Sequence, residues 1–175
     1  MGKEKQTKLE ALVLHFANNV PLHLGYKKLA KMMYFADFTA YELKEKTITG
    51  EKYKKYHYGP MPVNFYEIIE QMKKNGYIES KPQLGKYIPA TIKPLKKPDY
   101  TVFSKNEVEV IESITEKYKN STARELELQA KSEPPYKMVE FDEEIPYHLA
   151  FYRNSFGEME LNENDNTLSD NKKGY

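Results

Sequence analysis

The stretch after Gly25 constrains the fold more than any other part of the chain. Leu29, Met32, Met33, Ala36, Ala40 and Leu43 recur at the three- and four-residue spacing of one helical face, with Lys27, Lys28, Lys31, Lys44 and Lys46 along its edges. Tyr34, Phe35, Phe38 and Tyr41 carry the apolar arc well beyond a single stripe. A helix apolar over so much of its circumference needs cover on more than one side. The pattern predicts a helix held between two packed layers, or one that keeps part of its aromatic face for a partner.

The elements around it follow from shorter signals. Leu9, Leu12, Val13, Phe16, Ala17 and Val20 mark a first helix, ended by Pro21. After the turn Thr47-Ile48-Thr49-Gly50, the tyrosine-rich run from Tyr53 to Tyr58 reads as a short strand, and Gly59-Pro60-Met61-Pro62 as a rigid turn. A third helix buries Phe65, Ile68, Ile69 and Met72 and stops at Asn75-Gly76. Tyr77-Ile78-Glu79 and the run from Tyr87 to Ile92 form a hairpin, followed by a stiff connector from Lys93 to Asp99. Ser104 with Glu107, and Thr122 with Glu125, are capping boxes that open two more helices. Ser132 to Tyr136 breaks the second of these, and Asp142, Glu143 and Glu144 ahead of Pro146 read as the acidic start of a last helix. The expected fold is mainly α (α+β): a compact helical domain over residues 1–157 with a small β-hairpin, winged-helix-like in its N-terminal half. The run from Glu158 to Tyr175 reads as a disordered acidic tail.

Composition removes several function classes. With no Cys there is no disulfide framework, thiolate metal site or cysteine nucleophile. The charged N-terminus is followed by no long apolar run, which predicts a cytoplasmic chain without a signal peptide or membrane span. The four histidines, His15, His23, His57 and His148, lack metal-ligand spacing, and no metal or other cofactor is expected. There is no Gly-rich phosphate loop and no G-x-S-x-G elbow, so nothing supports an enzyme. A metal-free hydrolase would need a perturbed acid or base in a cleft.

Charge is unevenly placed. The net charge is +1, yet residues 1–98 carry 18 basic and 9 acidic side chains and the remainder carries the opposite excess. Basic residues such as Lys52, Lys54, Lys55, Lys73, Lys74, Lys81 and Lys86, on elements in winged-helix order, raise the alternative of a DNA-binding regulator. Against it, the third helix places Glu67 and Glu70 ahead of Lys73 and Lys74, whereas a reading helix presents polar or basic groups near its start.

Two aromatic segments carry a more specific signal. Lys28-Leu29-Ala30-Lys31-Met32-Met33-Tyr34-Phe35-Ala36, followed by Tyr56-His57-Tyr58-Gly59-Pro60-Met61-Pro62, resembles the Panacea domain of the SocA-like antitoxins, a family also found in phage-associated GepA proteins. The stretch from Leu126 through Ser132-Glu133-Pro134-Pro135-Tyr136 is similar to a later family motif, with Tyr136 where Trp is usual and the usual His missing. The resemblance implies a non-enzymatic antitoxin that binds a cognate protein toxin, usually encoded beside it, with some members delivering the toxin to a AAA+ protease. It implies partner-binding residues at Lys31, Tyr34, Phe35, Tyr56, Tyr58, Gly59 and Pro60, together with Ser132, Glu133, Pro135 and Tyr136. Taken singly, each ring serves a core or an interface equally well.

Overall fold

The computed structural model describes residues 5–21, 24–86 and 89–153. His23, the first two residues of the strand expected from Tyr87, and the tail from Glu158 lie outside them. Helix α1 (Lys8–Asn19) begins with a capping box in which the Thr7 hydroxyl accepts the Glu10 N–H at 3.1 Å and the Glu10 carboxylate accepts the Thr7 N–H at 3.0 Å. Helix α2 (Tyr26–Lys44) is the axis of the molecule. Every residue from Lys28 to Ala40 is buried, so its wide aromatic arc is enclosed by the fold itself.

The enclosing layers come from both halves of the chain. Helices α4 (Lys105–Tyr118) and α5 (Ala123–Ser132), each opened by the expected capping box, pack on α2, and Tyr118 stacks on Phe35 at 4.5 Å. A 3-10 helix at Tyr147–Tyr152 covers the later part of α2, where Tyr147 meets Phe38 at 4.8 Å. Each such side chain removed from water contributes about 1.5–3 kcal/mol before cavity effects. No helix among the described residues is long and apolar enough to cross a membrane.

Between α1 and α2 lies the short strand β1 (Leu24–Gly25). After α3 (Phe65–Lys74) come β4 (Ile78–Lys81) and β5 (Thr91–Pro94), and these strands form an antiparallel sheet in the order β1-β5-β4. With α1, α2 and α3, this is the element and strand order of a winged helix.

Inserted between α2 and α3 is a second hairpin, β2 (Tyr53–Tyr56) and β3 (Gly59–Pro62), closed by His57 and Tyr58. Here the structure corrects the sequence reading, since Gly59 to Pro62 is a strand and not a turn. Tyr56 pairs with Gly59 and Lys54 with Met61, and the Val63 N–H donates to the Lys52 carbonyl at 2.8 Å. Pro60 and Pro62 therefore fall at the alternate positions, whose backbone nitrogens face away from β2, and neither costs a ladder bond.

The acidic run before Pro146 is a second correction. Its residues do not start an α-helix but run along the free edge of β2. The Asp142 N–H donates to the Lys55 carbonyl at 2.8 Å, the Lys55 N–H to the Glu143 carbonyl at 3.0 Å and the Ile145 N–H to the Tyr53 carbonyl at 2.8 Å. Lys54 lies 3.7 Å from the Asp142 carboxylate. The edge of a basic strand is thus covered by an acidic irregular segment.

Candidate functional site

The site is assembled from three remote segments that α2 holds in place. Asp37, buried on the core face of α2, accepts the N–H groups of Ile48 and Thr49 at 2.8 Å each and the Tyr53 hydroxyl at 2.6 Å. Burial raises its carboxyl above the usual range, and these hydrogen bonds offset part of that rise. The turn before the β2–β3 hairpin is fixed in this way, and with it the direction in which the hairpin leaves the core.

A second buried network fixes the segment after α5. The Tyr34 hydroxyl donates to Glu133 Oε2 at 2.9 Å, and Arg153 donates to both Glu133 oxygens at 2.9 and 3.2 Å. Arg153 also donates to Thr39 Oγ1 at 3.1 Å and pairs with Glu42 at 2.7 Å. Burial pushes the Glu42 carboxyl up to about 7 although Arg153 pulls the other way. Burial also raises the Tyr34 hydroxyl, with the Glu133 carboxylate adding to the rise. For Arg153, the two carboxylates outweigh desolvation and hold the guanidinium charged.

Glu133 immediately precedes the short helix α6 (Pro134–Lys137), whose first two residues are prolines. From there the Tyr136 hydroxyl donates to the Tyr56 carbonyl at 2.7 Å. Lys55 places its ammonium 4.4 Å from the centre of the Tyr136 ring and donates to the Val139 carbonyl at 3.1 Å. The His57 and Phe141 rings meet in a tilted contact with centroids 4.3 Å apart. The hairpin tip and residues 136–141 thus form one surface, on which Tyr58, Met138 and Phe141 are each more than half exposed.

The residues expected from the sequence divide by burial. Tyr34, Phe35, Lys31 and Glu133 are buried and form part of the core and not of the exposed surface, because the fold closes over α2. Gly59, Pro60 and Pro135 are also buried. Tyr58 and Ser132 are exposed, and Tyr56 and Tyr136 are half-buried at the rim. The sequence reading missed Asp37, Glu42 and Arg153. Two carboxylates on the otherwise apolar face of α2 were the available signal, since a charge survives there only when paired.

Among the described residues no group of three or more His, Asp or Glu side chains is placed to hold a metal ion. His15, buried in α1, accepts the Tyr100 hydroxyl at Nδ1 (2.8 Å) and donates from Nε2 to Thr115 Oγ1 (2.9 Å), whose own hydroxyl donates to the Ile111 carbonyl. That arrangement requires the neutral ring, and burial lowers its pKa to about 4.

The family described as "Antitoxin SocA-like, Panacea domain" matches residues 29–136, more than half of the chain. The chain belongs to the SocA-like antitoxin family with a Panacea domain. The matched span runs from the core of α2 through the β2–β3 hairpin to Tyr136, so the Panacea region contains both parties to the Tyr136–Tyr56 hydrogen bond. Arg153, which anchors Glu133, lies beyond it. No curated protein and no solved structure gives a significant match.

Proposed function

We propose that this chain is a non-enzymatic antitoxin that neutralises a cognate protein toxin by direct contact, through the surface made by the β2–β3 tip and residues 132–141. The observation that carries this reading is the Tyr136–Tyr56 hydrogen bond, which joins two family segments 80 residues apart into one face. Around it stand Tyr58, Met138 and Phe141, large exposed side chains of the kind that anchor protein interfaces. The hairpin is held from both sides, by α2 and α5 through β3 and by residues 142–145 at the β2 edge, so little ordering is needed on binding. Residues 1–157 form the binding domain in this reading, which requires no protease step.

The test is co-expression. The product of the adjacent reading frame, toxic when expressed alone, is harmless beside the intact chain; continued killing at equal expression of both would refute the proposal.

The winged-helix order of α1, β1, α2, α3, β4 and β5 keeps DNA binding as a second reading. The exposed side of α3 weighs against it, because Glu67 and Glu70 project there. A promoter gel shift across salt concentrations decides between the two, since phosphate contacts weaken steeply as salt rises.

A further inference from the structure

A cleft of about 510 Å³ opens on the other side of the hairpin tip. Its walls come from the start of α2, the tip residue Tyr58, Tyr66 of α3, the loop between β4 and β5, and the start of α5. Lys27, Lys28, Lys86 and Arg124 line it, against the single carboxylate of Glu127. Lys28 donates to the Lys119 carbonyl at 2.7 Å and Arg124 pairs with Glu127, whereas Lys27 rests 3.8 Å from the centre of the Tyr58 ring and Lys86 is exposed. Behind this wall Lys31 is fully buried, and its Nζ has no hydrogen-bond partner. It is coupled electrostatically to both Lys27 and Glu127. Gly25, the residue that caps α2, offers no side-chain acceptor to the first-turn N–H groups, so the helix adds its own positive end to the cleft.

We infer that this cleft receives an acidic segment of the partner toxin, a stretch bearing Asp or Glu side chains, beside the apolar contact made at the tip. The inference rests on the antitoxin reading. Tyr58 belongs to both surfaces, so the cleft continues the proposed interface. The cationic excess lies in a recess, where it is less screened than charge on an open face. A nucleic acid fits less well. Its backbone would run on past the cleft to Glu67 and Glu70 on the neighbouring helix, whereas the cations form a compact pocket and not a stripe along a strand path.

The experiment titrates the full chain with the cognate toxin by calorimetry at several salt concentrations. The wild type is compared with the double variant Lys27→Glu/Lys86→Glu, and Lys74→Glu/Lys105→Glu serves as a remote control; circular dichroism verifies folding of each. Reversing the cleft charge is expected to weaken binding about tenfold or more and to flatten its salt dependence, with the control unchanged. Unaltered affinity and salt slope in the cleft variant, with the wild type binding normally, overturns the inference alone. Failure of the wild type to bind the toxin overturns the antitoxin reading and the inference with it. A 20-base single strand bound by the wild type and lost in the cleft variant, with toxin binding intact, assigns the cleft to nucleic acid and also overturns the inference.

Discussion

Gly59 and Lys31 are in direct contact beneath the hairpin: a Cβ on residue 59 would stand 2.6 Å from Lys31 Cε. Gly59 also has φ of +100°, a conformation that side-chain-bearing residues rarely adopt. Two constraints thus act on one glycine, a steric one from α2 and a conformational one from the β2–β3 turn.

Replacing Gly59 with Ala is expected to cost roughly 1–3 kcal/mol from the backbone conformation alone, with the clash added. Urea denaturation of Gly59→Ala, Lys31→Ala and the double variant separates the two. If the steric part is real, the Gly59→Ala cost shrinks in the Lys31→Ala background; strictly additive costs would mean that the two residues do not constrain each other.

Lys31 gives the protein an alkaline stability gain. Burial lowers its pKa to about 7, with Glu127 opposing and Lys27 and Lys131 assisting. Between that value and the unfolded value of 10.5 the unfolded chain binds the extra proton, so stability rises with pH there. The full window corresponds to roughly 5 kcal/mol. Thermal melts from pH 7 to 9.5 should rise for the wild type and stay nearly level for Lys31→Met; equal slopes would show that the amine is solvated.

His15 acts at the other end of the scale. Its folded pKa is near 4 against 6.5 unfolded, so below pH 6.5 the unfolded chain takes up a proton that the folded ring refuses. Stability is lost as pH falls between those values, by roughly 3 kcal/mol in all. Denaturant midpoints for His15→Gln should decline less steeply from pH 6.5 to 4 than those of the wild type.

In the Arg153 network, charge matters more than hydrogen-bond number. Arg153→Met leaves the Glu133 and Glu42 carboxylates buried without a cation and is expected to cost about 3–5 kcal/mol. Tyr34→Phe removes one bond from a carboxylate that keeps Arg153, at about 1–2 kcal/mol. Adding Glu42→Gln to Arg153→Met should recover part of the loss; no recovery would mean that Arg153 contributes packing alone.

Much of this was legible in the sequence because it is local. The stripe and aromatic arc of α2, the capping boxes of α4 and α5 and the stop at Asn75-Gly76 each lie within a few residues, and each formed. Strand β3 was not legible, because Pro60 and Pro62 signal a turn until the pairing register shows that their missing N–H groups were never needed. The run from Asp142 to Glu144 was misread because its charge pattern suits a helix start, whereas an unpaired β2 edge elsewhere in the chain decides its conformation. Tyr34 and Phe35 belong to the core and not to the exposed surface, since periodicity identifies an apolar face without saying what covers it. The pairing of Glu42 with Arg153, 111 residues away, leaves no local trace.

The most direct measurement is the affinity of the full chain for its toxin when the tip surface alone is altered. Met138→Glu with Phe141→Glu changes two side chains that are already more than half exposed, so the fold should survive. The prediction is a Kd raised ~30-fold or more, as for interface anchors, while Leu95→Glu on an exposed connector leaves it unchanged. A folded double variant that binds and neutralises the toxin as well as the wild type would contradict the assignment of toxin recognition to the surface joined by Tyr136 and Tyr56.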